Sequence, residues 1–158
     1  MYALPGQSLA MALADVDRAI ALQPTHLSHY QLTLEPNTVF AVRTPAGLPD
    51  EDGAWDMQEA CQARLAAAGF GQYEVSAYAR AGRQCRHNLN YWQFGDYLGI
   101  GAGAHGKLSF HDRVRRDMRH KHPNAYLEGA ARGDFVQDMR AVGVDELPFE
   151  FMMNAARL

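Results

Sequence analysis

Between His87 and Gly106 the chain reads HNLNYWQFGDYLGIGAGAHG, and most residues able to do chemistry are gathered there. Two imidazoles, His87 and His105, flank four aromatic rings (Tyr91, Trp92, Phe94 and Tyr97). Five glycines follow the first histidine, four of them between Gly99 and Gly106. An imidazole can ligate iron, and flat rings with polar edges can stack on a planar ligand. Behind His87, the amides of Asn88 and Asn90 add hydrogen-bonding capacity. Glycines at this density mean positive φ, or backbone lying close against a ligand or another segment. The plain alternative is a tight bend around an aromatic mini-core, and spacing alone leaves both open. The first half reads as an irregular loop. The second, Tyr97–Ala102, reads as a short strand running into a glycine-rich turn, the place where α/β folds put their ligands.

Other candidate groups carry less. His26 and His29 lie three apart around a predicted strand; a metal pair is one reading, and one surface plus one packed histidine is the other. His111, His120 and His122 sit among arginines, which disfavours a cation site. The run Arg113–Lys121 holds five basic residues and one acid. It reads as a solvated face, or as a patch for carboxylate or phosphate groups. Cys61 and Cys85 are too few for a disulfide framework and lack metal-ligand spacing, so a reducing cytoplasm fits them best. No P-loop, nucleophile elbow, zinc motif or dinucleotide fingerprint is present.

The elements that must position these groups alternate. Leu9, Leu13, Val16 and Ile20 fall on one face of a helix capped by Ser8 and ended by Gln23-Pro24. Leu27–Leu34 reads as a buried strand. The loop Glu35–Pro49, with three prolines and a glycine, is long enough to be a lid or binding loop. Asp50, Glu51 and Asp52 open a second helix that buries Ala54, Met57, Cys61, Leu65 and Ala68 and stops at Gly69-Phe70. Gln72–Val75 is a third strand. Such alternation predicts parallel strands joined by right-handed crossovers, hence an α/β layer or barrel with Leu27–Leu34, Gln72–Val75 and Tyr97–Ala102 side by side. Pro123 starts a short helix through about Ala131, closed near Gly133. The apolar segment LPFEFMMNAARL is helical and stops without a cap, as though the chain were cut at both ends.

With 158 residues, 47% hydrophobic and 21% charged, the composition is that of an ordinary globular domain. A formal charge of -3 gives no global argument for nucleic-acid or membrane binding, and no apolar run reaches the ~20 residues of a membrane span.

In this order the segments YALPGQS, HLSHYQLTLEPNT, QYEVSAYA, HNLNYW, GDYLGIGAGAHGK and LPFEFMMN resemble the oxygen-independent coproporphyrinogen III oxidase-like radical SAM proteins, and more closely the haem-chaperone branch of that family. The resemblance implies an α/β fold: the C-terminal part of a partial (β/α)6 radical SAM barrel over residues 1–122, then a connecting helix and the start of a small helical domain over 123–158. It implies a parent protein with a [4Fe–4S] cluster, held by a Cys-x3-Cys-x2-Cys motif, and with S-adenosylmethionine. That motif is missing here, so no metal ligand is expected in this chain, which by itself should be inactive. The resemblance places Thr33 and His105 at the adenosyl pocket. It makes His87, Asn88, Tyr91 and Trp92 the haem-binding element, a string the true oxidases lack. Arg113, Arg115, Arg116 and Arg119 are the nearest basic supply for haem propionates. The implied partners are haem or porphyrin and haem-accepting proteins. The alternative is an enzyme, the oxidase itself, which decarboxylates porphyrin propionates by a radical route.

Overall fold

Ser8 opens the first helix as its sequence requires: its hydroxyl accepts from the Met11 amide at 3.3 Å, and α1 runs Leu9–Ala21. The structure, a computed structural model, describes all residues 1–158. In order, the further elements are β1 (His26–Ser28), α2 (Val39–Val42), α3 (Glu51–Ala67), β2 (Gly71–Glu74), β3 (Ala77–Ala79) and α4 (Arg86–Trp92). They are followed by β4 (His105–Ser109), β5 (Val114–Arg119), α5 (Pro123–Arg132), β6 (Val136–Ala141) and α6 (Leu147–Ala155). The chain divides into two units, residues 1–85 and 86–158. The domain limit expected from the sequence, 122/123, falls between β5 and α5, inside the second unit.

The first unit is built on an apolar core. α3 begins on Asp50, whose carboxylate accepts from the Gly53 amide at 2.8 Å, with Glu51 and Asp52 in the positive first turn. It ends at Gly69, with φ +84°, and the Phe70 amide returns to the Leu65 carbonyl. The face predicted for it is the buried one: Ala54, Met57, Cys61 and Leu65 join Ala12 and Val16 of α1, Phe70 and Tyr78. Burying a side chain such as Leu65 or Phe70 is worth about 1.5–3 kcal/mol.

Beside this core lies a three-stranded sheet in the order β1-β3-β2, antiparallel throughout, with His26 opposite Ala79 and Gly71 also opposite Ala79. The expected parallel neighbours are therefore not found. The reason is the tight Val75-Ser76 turn, which folds β3 back between β1 and β2. Because both outer strands oppose β3, they run in the same direction, as the α/β alternation requires, but they are not adjacent. Glu74 is buried at that turn, where its Oε1 accepts from the Ser76 amide and hydroxyl at 3.1 and 3.2 Å. The predicted strand Leu27–Leu34 shrinks to β1 plus a parallel bridge between Tyr2 and Gln31. The long loop holds the one-turn α2, capped by Thr38.

The second unit has little apolar interior. Its sheet is the antiparallel set β4-β5-β6, with β5 in the centre. The basic run is thus the central strand and not a solvated face, because its charges are matched locally. Arg115 and Arg119 flank the buried Asp117 at 3.8 and 3.6 Å, and Arg116 reaches Glu150 of α6 at 2.7 Å. Tyr97–Ala102 is not a strand; only Tyr97 bridges Lys107, antiparallel. α5 begins with Pro123 and ends at Gly133 in the left-handed region, as its sequence predicts. No helix is long and apolar enough to cross a membrane.

Candidate functional site

His87, Asn88, Tyr91 and Trp92 are brought together on α4, which replaces the irregular loop expected there. A helix puts residues four apart on one face, so His87 meets Tyr91 and Asn88 lies above Trp92. The His87 ring stands edge-on to Tyr91, with centroids 4.8 Å apart at 69°. Tyr91 in turn lies 4.2 Å from the ring of Tyr97. Burial first, and the neighbouring Tyr97 second, push the Tyr91 phenol above its usual pKa, while Arg116 acts in the opposite direction. His87 itself is exposed, so its imidazole is available to a ligand.

What stops α4 is a tight turn. The amides of Gln93, Phe94 and Gly95 return to the carbonyls of Leu89, Tyr91 and Asn90, and Phe94 sits at φ +60°. Gly95 is required because a Cβ there would run into Asn90. The Asn90 side-chain amide donates to the Asp96 carbonyl at 2.9 Å, tying helix to turn.

Beneath the turn lies Lys107, only 1% exposed. Its ammonium donates to the Phe94 carbonyl at 2.8 Å, Ser109 Oγ at 3.0 Å and Asp96 Oδ1 at 3.1 Å, and sits 3.9 Å from the centre of the Phe94 ring. A buried ammonium is tolerated only when so fully paired. Burial pushes the Asp96 carboxyl up, but hydrogen bonds from the Ser109 amide and hydroxyl and from Lys107, with the Lys107 charge, hold it below its usual pKa. A lysine in a glycine-rich stretch gives no sequence signal of burial, and this residue was not foreseen.

Trp92 lines a cleft of about 740 Å³ with Arg116, Arg140, Phe149, Glu150 and Arg157. Its indole N–H is buried without a hydrogen-bond partner, and the Arg157 guanidinium lies 4.3 Å from the centre of its ring. The arginines expected to serve propionates are engaged within the unit. Arg116 donates to Tyr97 OH and, through two nitrogens, to Glu150; Arg119 donates to the Gly99 carbonyl; Arg113 pairs with Asp112 at 2.6 Å.

The glycine-rich turn is close-packed against its own chain. A Cβ on Gly99 would lie 2.5 Å from the His105 carbonyl oxygen, and one on Gly106 would meet Asp117 Oδ1. Gly101 and Gly103 take positive φ. His105 is the exposed first residue of β4, opposite Met118, in the second unit. Thr33 belongs to the first unit, is exposed, and donates its hydroxyl to Glu35 at 2.9 Å.

The remaining histidines of the first unit are packed. His26 Nε2 lies 2.7 Å from Tyr73 OH, and His29 stacks on Tyr2 with centroids 4.9 Å apart. Burial, the largest cause, brings the His29 pKa down to about 4. Nor do the cysteines fit an iron–sulfur cluster, which needs convergent thiolates. Cys61 is sealed in the core, where burial raises its pKa, and Cys85 lies half-buried at the end of the unit. No group of three histidines, cysteines or carboxylates is placed to hold a metal ion.

The fold is that of a radical SAM oxidase segment. It matches the solved structure of Escherichia coli coproporphyrinogen III oxidase, described as a radical SAM enzyme, with a TM-score of 0.78 over 99% of this chain and 38% of that one, at 18% identity. No family profile matches the chain. Curated relatives align over its whole length: proteins named "Heme chaperone HemW" from Escherichia coli at 52% identity, Haemophilus influenzae at 53% and Mycobacterium tuberculosis at 39%. Over its whole length the chain is therefore similar to proteins named haem chaperones, and in fold to part of the radical SAM oxidase. It spans about two fifths of the length of these relatives, 41%, 40% and 40% in turn.

Proposed function

We propose that the full-length protein binds haem and passes it to haem-dependent proteins, with α4 as its haem-contacting element. The observation that carries this reading is the exposed His87 imidazole, braced edge-on by Tyr91 within the His87-Asn88-Leu89-Asn90-Tyr91-Trp92 string. The names of the relatives support it. Haem is cargo here, and its iron accepts an imidazole nitrogen as axial ligand. His87 supplies that nitrogen, Tyr91 limits the tilt of its ring, and the indole N–H of Trp92 is a donor in want of an acceptor. Thr33 and His105 are proposed to line an S-adenosylmethionine pocket in the full-length protein, and the thiolates for a [4Fe–4S] cluster would come from outside this chain. A cytoplasmic location accords with the two unpaired cysteines.

A hemin titration of full-length His87→Ala protein tests the reading. Because His87 is exposed, its removal should change stability by no more than about 0.5 kcal/mol. Haem affinity should fall by about tenfold or more, equivalent to about 1.4 kcal/mol, with a displaced Soret band. A folded variant with unchanged affinity and spectrum would remove His87 as the ligand.

A further inference from the structure

We propose that Lys107 is the positioning residue of the haem-contacting helix: its buried ammonium fixes the turn after α4 and, through Tyr97 and Tyr91, the attitude of the His87 ring. The inference rests on the reading of His87 as a haem ligand.

The connection is contiguous and lies within one unit. Lys107 is held from both its backbone and its side chain. Its main-chain amide and carbonyl exchange hydrogen bonds with Tyr97, both at 2.9 Å. Its ammonium binds the Phe94 carbonyl and Asp96 Oδ1, so residues 94, 96 and 97 of the turn are all tied to this one residue. Asp96 is further fixed by the Ser109 amide and hydroxyl at 2.9 and 2.8 Å, and the Asn90 side chain closes the turn onto the helix. Tyr97, so placed, lies against Tyr91, and Tyr91 lies against His87. Arg116 holds the Tyr97 hydroxyl at 2.7 Å.

The chemistry explains why a lysine serves here. Phe94 takes a left-handed conformation that a residue with a Cβ adopts at a cost, and it persists only where its surroundings enforce it. A compact ammonium with three donors can satisfy a carbonyl, a carboxylate and a hydroxyl that converge on one point, as they do at Lys107. Groups that orient a metal-binding imidazole commonly change its affinity for metal by about 10–100-fold.

The test compares four full-length variants, His87→Ala, Lys107→Met, Asn90→Ala and the double variant Lys107→Met with Asp96→Asn, by hemin titration, Soret spectrum and circular dichroism at a temperature well below unfolding. Lys107→Met keeps an unbranched side chain as far as the ε position and removes the ammonium with its donors; Asn90→Ala loosens the same turn at a partly exposed site, and is read alone if Lys107→Met fails to fold. The expected result is folded protein with haem affinity reduced about tenfold and a broadened or shifted Soret band, partly restored in Lys107→Met when Asp96→Asn removes the carboxylate charge that has lost its counter-ion. Folded variants with the parental spectrum and affinity, beside a defective His87→Ala, would overturn the role of Lys107 and leave the haem reading standing. A parental spectrum and affinity in His87→Ala would overturn both.

Discussion

Replacing Gly99 with alanine separates two meanings of the glycine-rich turn: space left for a ligand, or space taken by the chain itself. The structure favours the second. The new Cβ would lie 2.5 Å from the His105 carbonyl oxygen, 2.6 Å from its carbon and 3.1 Å from the carbonyl carbon of Ala104. Cβ contacts essentially never fall under 3.0 Å, so these backbone atoms must move by at least about half an ångström, and backbone yields less readily than the end of a flexible side chain. Overpacking of this kind costs about 1–3 kcal/mol. With a urea dependence of about 2 kcal/mol per M for a domain of this size, the unfolding midpoint of the second unit should fall by about 0.5–1.5 M. Urea titration followed by the fluorescence of Trp92 would report it. Gly101→Ala is the control: nothing lies within 4 Å of its Cβ, and only the positive φ of +105° opposes it, so the loss should be nearer 1 kcal/mol. A Gly99→Ala protein as stable as its parent, but defective for S-adenosylmethionine, would refute the close-packing account and restore the ligand cradle.

Further outcomes follow from the first unit. His29 has a folded pKa of about 4, below its unfolded value near 6.5, so the unfolded chain binds the proton more tightly. Stability should therefore fall as pH drops from about 6.5 towards 4, by at most about 3 kcal/mol, and His29→Phe, which keeps the stacking on Tyr2, should flatten that portion of a pH series of urea midpoints. An equal slope in both proteins would place the effect elsewhere. Arg64 holds Asp17 at 2.6 Å, but both side chains are nearly half exposed, so Arg64→Ala should cost under about 1 kcal/mol. A loss of 2 kcal/mol or more by thermal melting would show that this pair is more than a surface contact.

The helices were legible because their signals are local. Ser8, Asp50, Pro123 and the left-handed Gly69 and Gly133 mark ends that need no tertiary information, and the face Ala54–Met57–Cys61–Leu65 follows from the 3.6-residue period. Strand partners are not local. β3 is three residues long and its place between β1 and β2 depends on a two-residue turn, which the α/β alternation could not disclose. β5 was misread for a different reason: Arg115, Arg116 and Arg119 are charged, and only Asp117 and the distant Glu150 allow them into a central strand. At the candidate site the residue types were readable and their setting was not. His87 and Tyr91 four apart are the one hint of α4, whereas the burial of Lys107 depends on Phe94, Asp96 and Ser109 converging on one point.

The antiparallel register of the first sheet has a consequence for the order in which the protein can assemble. His26 pairs with Ala79, more than fifty residues downstream, whereas β4 and β5 are joined by a short turn in which the Phe110 amide meets the Arg113 carbonyl. Loop closure delays contacts between distant residues relative to neighbouring ones. Within this chain, β1 has no strand partner until residues 77–79 have been made, although α1 and α3 are already present. At about 5–20 residues per second, that interval lasts several seconds, during which Leu27 and, until α3 is made, the apolar face of α1 lie open to other chains. The hairpin of β4 and β5, by contrast, can close almost as soon as it emerges. Of the two units described, the first is therefore the one with more need of protection during synthesis, although it has the better apolar core.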